Sequence, residues 1–300
     1  MKKIRDLMEK YPFLYLIYAL AGCALLWVSV RVVPPIKAGA FTTGLNELKA
    51  ALIVLFVYWL LSARVQDLKP DYTGFSYGFR VMRGIFILVF LILIVGLFTI
   101  FSAVKAGASL SWMGIKLLNA ALLCLAVGVV EEFTCRAMLF GGLIRVCKPT
   151  HRGVIWAALI SAFAFGFIHV AADVFSGTVT DAMGIIQVTG KTLEAGVFGF
   201  VLALIYQKTR SIWSVAALHS LFDFLILVAT LAGDKDMPSY VSKDAGISRI
   251  SSFIYIFLSL IMIPTIVRCL RELKKEPEPC CCPSDEAFAP RALTYEKRRK

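Results

Sequence analysis

LLNAALLCLAVGVVEEFTCRAMLFGGLI, residues 117–144, is an apolar stretch with Glu131, Glu132 and Arg136 at its middle. It is long and apolar enough to cross a bilayer as a helix. A charged side chain near the bilayer centre costs about 2.5–3.5 kcal/mol on insertion scales. Three charges within two turns are therefore expected to face a protein interior, pair with one another and mark a functional site.

The rest of the chain has the same character. Of 300 residues, 59% are hydrophobic and 17% charged, and the mean hydropathy is +0.77. These values exclude an ordinary soluble domain and predict an all-α fold, a polytopic membrane helix bundle. Apolar spans read near 13–33, 47–63, 84–103, 112–146, 153–170, 184–207, 211–231 and 250–270, giving eight. The sixth is interrupted by Lys191 and Glu194. The first follows a basic N-terminus and precedes a small-residue stretch at 37–40, but its length predicts an uncleaved helix rather than a signal peptide.

Basic residues alternate along the chain. Lys2, Lys3, Arg5 and Lys10 precede span 1; Arg64, Lys69, Arg80 and Arg83 follow span 2; Arg145, Lys148 and Arg152 follow span 4; Lys208 and Arg210 follow span 6; the chain ends EKRRK. In the last intervening loop Lys235, Lys243 and Arg249 are accompanied by Asp234, Asp236 and Asp244. The positive-inside rule then predicts a multi-pass protein with both termini cytoplasmic. The net charge of +12 is thus explained by membrane topology, with no basic stripe or finger spacing to suggest nucleic acid. Segment 271–300, rich in Glu, Lys and Pro, is expected to be a disordered cytoplasmic tail. Its run Cys280-Cys281-Cys282 has no assigned role, and the eight cysteines form no disulfide framework.

Glu132 and Arg136 are one α-helical turn apart and can pair within their helix. Glu131 is rotated by about 100° and is left to face another neighbour. His169 ends SAFAFGFIHV in span 5, and His219 lies in span 7 one turn before Asp223. His151 falls in the basic loop and is expected to be solvated. If Glu131, His169, His219 and Asp223 converge, they form a polar cavity suited to hydrolysis. Glu131 would act as general base on a water with His169, while His219 and Asp223 serve the developing oxyanion. Because an ionised carboxylate donates no hydrogen bond, Asp223 must be protonated, orient His219 or bind metal.

The order Glu131-Glu132-x-x-x-Arg136, Phe165-x-x-x-His169, His219-x-x-x-Asp223 resembles the CPBP family of intramembrane proteases. That family includes CAAX prenyl endopeptidases of the Rce1 type and bacterial Abi proteins. VVEEFTCRAMLFGGL is similar to its first motif and GFVLALIYQKTRSIWSVAALHSLFDF to its third. The resemblance covers roughly 110–230. It implies an eight-helix bundle with a membrane-buried site, water activation by Glu131 and His169, oxyanion stabilisation by His219 with residue 223, and support from Glu132, Arg136 and Phe165. Many members have Asn where this chain has Asp223. Glu131, His169 and His219 suit zinc in type, although the glutamate-and-histidine scheme needs no metal.

The chain thus divides into N-terminal membrane helices without family signal (1–110), a CPBP/Abi-like catalytic core (111–231), an eighth helix with its preceding loop (232–270) and the tail (271–300). The expected function is an intramembrane endopeptidase acting on a membrane-associated peptide or protein, of CAAX type or a peptide precursor. Two other readings are a non-catalytic scaffold or immunity protein and a proton-coupled transporter. The expected partners are the substrate and the lipid bilayer.

Overall fold

The computed structural model describes residues 7–8, 10–11, 13–31, 36–62, 69–147, 150–232 and 240–275. Residues 276–300 with the cysteine triplet, most of the N-terminal basic cluster, and Arg64, Lys148, Asp234, Lys235 and Asp236 lie outside them. Among the described residues the fold is helical, without strands.

The helices are α1 (Phe13–Arg31), α2 (Thr42–Ser62), α3 (Phe75–Val81), α4 (Arg83–Lys105), α5 (Leu110–Glu132), a π-helical segment (Phe133–Phe140), α6 (Gly141–Val146), α7 (His151–Phe175), α8 (Ala182–Thr209), α9 (Ile212–Ala232), α10 (Ala245–Ile261) and α11 (Ile263–Lys274). By length and composition Gly39–Leu61, Arg83–Lys105, Leu110–Val146, His151–Phe175, Ala182–Thr209 and Ala245–Lys274 can each cross a membrane. Shorter apolar windows at Phe13–Val28 and Ile212–Val228 complete the set read from sequence. The chain is an integral membrane protein.

Caps set several helix starts. Ser109, Thr150, Asp181 and Asp244 each accept a backbone N–H from the first turn of α5, α7, α8 and α10. Pro264, in the first turn of α11, lacks an N–H and separates α10 from α11 at Met262. Span 8 is therefore two helices, and the second runs to Lys274, into the segment read as tail.

Burial ranks the helices. In α8, 67% of the most apolar window is buried, against 22% in α4. The former is the central helix and the latter faces lipid. α5 packs along α2 and α9, and α8 along α7 and α10, while α1 lies against the π segment. Small residues permit these close approaches, as expected where lipid supplies no hydrophobic drive. A Cβ on Gly166 of α7 would collide with Thr192 O of α8, and one on Gly128 of α5 would lie 2.7 Å from Ala216 O of α9. Gly22 of α1 sits against the π segment, 2.7 Å from Thr134 O on the same measure.

Two features were not read from the sequence. The π segment interrupts span 4, and a π turn leaves backbone carbonyls less well paired. Two hydroxyls compensate: Ser161 of α7 donates to Cys135 O at 2.9 Å, and Thr134 donates to Val130 O at 2.7 Å. The turn joining α8 to α9 is also recessed. Thr209, Ser211 and Ile212 are buried, Arg210 takes a left-handed φ of 56°, and segment 71–81 covers them. Ser211 Oγ donates to Asp71 O, Gly74 abuts Thr209, and Gly78 abuts Leu218 and Ile205. Residue counts from the helix ends set His219 about 10 Å shallower than Glu131 at 1.5 Å per residue. In the structure the two nonetheless meet, with His219 Nε2 3.5 Å from Glu131 Oε2.

Candidate active site

Glu132 ends α5, and Arg136 stands in the π segment that follows. They pair as expected, with Arg136 Nη1 2.9 Å from Glu132 Oε1 and both side chains buried. The flat guanidinium also lies over the Phe165 ring of α7, 4.2 Å from its centroid. Gly199 of α8 makes room for this stack. A Cβ there would lie 2.8 Å from Arg136 Nη2 and 2.8 Å from Phe165 Cδ1. The ring is rigid and the guanidinium is held by Glu132, so neither retreats freely. Gly199→Ala is expected to lower stability by about 1–3 kcal/mol through overpacking and to reduce activity with it. Thermal unfolding in detergent, with wild-type stability as the contrary result, checks this.

His219 of α9 reaches the same carboxylate. Its Nδ1–H donates to Glu132 Oε1 at 2.7 Å. Its Nε2 stands 3.5 Å from Glu131 Oε2 and 3.4 Å from Asp223 Oδ2. Glu132 therefore joins α5 to α9 as well as to Arg136, a link the sequence reading did not foresee. It is Glu132, not Asp223, that fixes the imidazole through Nδ1. Phe198 and Phe165 stand edge-on to His219, with ring centroids 5.1 Å and 5.8 Å away.

His169 of α7 is held differently. Its Nδ1–H donates to Phe165 O at 2.8 Å, which leaves Nε2 as the lone-pair nitrogen. His169, Glu131 and Asp223 line one cavity of about 670 Å³. Lys191 and Glu194, read from sequence only as an interruption of span 6, line it too. Lys191 Nζ is 2.7 Å from Glu194 Oε2 and lies over the Tyr240 ring at 4.6 Å. Their i, i+3 spacing was the available signal for the pair. Tyr240, in the loop before α10, places its ring 6.0 Å from that of His169, and no sequence pattern announced it. His151 begins α7 and does not line the cavity.

The cluster is costly. Glu131 Oε2, Glu132 Oε2, Arg136 Nε and Arg136 Nη2 have no hydrogen-bond partner among the described residues. An apolar core would be more stable than a partly satisfied ionic one, so the cluster suits a chemical role better than a structural one. As to metal, no three His, Cys, Asp or Glu side chains gather at ligand spacing among the described residues. Both nitrogens of His219 face carboxylates, so Glu131, His169 and His219 do not fit a zinc centre in this arrangement. Cys124 and Cys135 are buried free thiols, and Cys135 is packed within the π segment.

No curated protein and no solved structure matches the chain. Residues 111–225, which hold Glu131, Glu132, Arg136, His169, His219 and Asp223, match the family described as type II CAAX prenyl endopeptidase Rce1-like, and over this stretch the chain is Rce1-like.

Proposed function

We propose that the chain is an intramembrane endopeptidase in which Glu131 activates a water molecule against a peptide carbonyl. The observation that carries this is the meeting of Glu131, His219 and Asp223 beside a cavity that His169 also lines. The Rce1-like match supports a protease at family level.

In the proposed reaction the substrate peptide lies in the cavity. His169 Nε2 accepts a hydrogen bond from the attacking water and orients it. Glu131 removes a proton from that water as its oxygen adds to the carbonyl carbon. The resulting oxyanion is met by His219 Nε2–H. The carbon–nitrogen bond then breaks, and the proton on Glu131 passes to the departing amine. Glu132 accepts from Nδ1–H and so turns Nε2 toward Glu131, and Asp223 stands 3.4 Å from Nε2. Asp223 thus acts through its contact with His219 rather than on the oxyanion directly. No step is routed through a metal.

The test is cleavage by the purified protein in proteoliposomes. The probes are an isoprenylated C-terminal peptide and a transmembrane peptide, with products read by mass spectrometry. Internal cleavage by the wild-type chain is expected, falling about 10²-fold or more in His169→Ala, which removes a water-positioning group. Cleavage by His169→Ala at the wild-type rate would contradict the assignment.

A further inference from the structure

The cavity extends beyond the catalytic groups, and its course is directional. Its far end is lined by Thr42, Thr43, Asn46 and Glu47, from the first two turns of α2, and by Tyr240 of the loop before α10. Thr43 is exposed, so the cavity reaches the protein surface there. The opposite side of the cluster is closed. Phe133 follows Glu132 directly and is fully buried. Tyr58 and Trp213 stand edge-on to it, with ring centroids 5.2 Å and 5.3 Å away. Beyond that layer lies the buried α8–α9 turn with segment 71–81 over it.

Chain direction identifies the two ends. The helices alternate up and down, so the start of α2 and the loops after α4, α7 and α9 share one end of the bundle. The other end carries Lys69, Arg80, Arg83, Arg145, Arg152, Lys208 and Arg210. The charge bias makes that basic end cytoplasmic. The aromatic layer therefore lies on the cytoplasmic side of Glu131, and the mouth at Thr43 and Glu47 on the other.

We infer that the active site is entered from the non-cytoplasmic face, and that its substrate is a polypeptide segment presented on that side. This rests on the proteolytic reading above. It separates the chain from a processor of cytoplasmic C-terminal tails, whose scissile bond would meet the aromatic layer and the covered turn. At the rim Thr42, Thr43 and Asn46 are held in hydrogen bonds with Ala38 N, Asn119 Nδ2 and the backbone of Ile36, and the Glu47 carboxylate beside them does not favour a free carboxylate.

Thiol labelling tests the inference without a substrate. Thr43→Cys and Glu47→Cys are each expressed in cells and exposed to a membrane-impermeant maleimide, with the wild-type chain as background for native cysteines. Arg152→Cys reports the basic end. The expected result is that at least one mouth variant labels in intact cells as fully as after lysis, whereas Arg152→Cys labels only after lysis. Two mouth positions are used because Thr43→Cys removes the 2.8 Å bond from Asn119 Nδ2. Mouth labelling confined to lysed cells or inverted vesicles would overturn the inference and favour cytoplasmic tails. Absence of labelling at both positions in both orientations would overturn it as well. The same labelling is expected in a Glu131→Gln background, so a failure of the catalytic reading and a failure of the access reading give different results.

Discussion

Glu131→Gln is expected to abolish peptide cleavage, by about 10²–10⁴-fold or to background, while the protein remains folded. The side chains differ little in volume, and Gln retains hydrogen-bonding capacity toward His219 Nε2, 3.5 Å from the carboxylate. What is lost is the ability to take a proton from water. Glu131 Oε2 has no hydrogen-bond partner among the described residues, so the amide breaks no strong bond. Stability within experimental error of wild type, with cleavage gone, is the expected pair of readings. Cleavage at the wild-type rate would remove Glu131 from the mechanism, and a parallel collapse of stability would mean that the carboxylate is structural.

Arg136→Ala has the opposite signature. It removes the cation 2.9 Å from Glu132 and leaves that carboxylate buried with His219 alone. It also empties the space over the Phe165 ring. Breaking a buried pair from one side costs about 3–5 kcal/mol, because an unpaired charge is stranded. The protein is therefore expected to unfold at markedly lower temperature in detergent. Combining Arg136→Met with Glu132→Gln should recover much of that loss, since the amide can still accept from His219 Nδ1 and the thioether fills the space. Equal stability of Arg136→Ala and Glu131→Gln would show that the ion pair does not support the fold.

The membrane spans were legible because hydropathy over about 20 residues reports lipid contact directly. The Glu132–Arg136 pair was legible too, because local helical spacing dictates it. What escaped depends on partners distant in sequence. Nothing local distinguishes Glu132 as the carboxylate that meets His219, 87 residues away. The α-helical period assumed for span 4 fails at Phe133–Phe140, where the surplus backbone groups are satisfied by Ser161 from another helix. Short α3 and the residues before it lie in a segment too brief and too polar to register as a span, yet they pack on the α8–α9 turn through Asp71, Gly74 and Gly78. Lys191 and Glu194 read as a flaw in span 6 because hydropathy counts charges without pairing them. In the structure they neutralise each other at 2.7 Å on the cavity wall.

The claim on which the mechanism stands is that a carboxylate of α5 and the imidazole of α9 meet across the bundle. A double-mutant cycle of Glu132→Gln and His219→Asn, read as unfolding free energy in detergent, measures that contact without any substrate. Residues in contact couple by about 0.5–3 kcal/mol, whereas distant sites add to within about 0.5 kcal/mol. With Nδ1 and Oε1 2.7 Å apart in a buried site, the expected coupling lies in the upper half of that range. Strictly additive effects would place the two side chains apart and contradict the account.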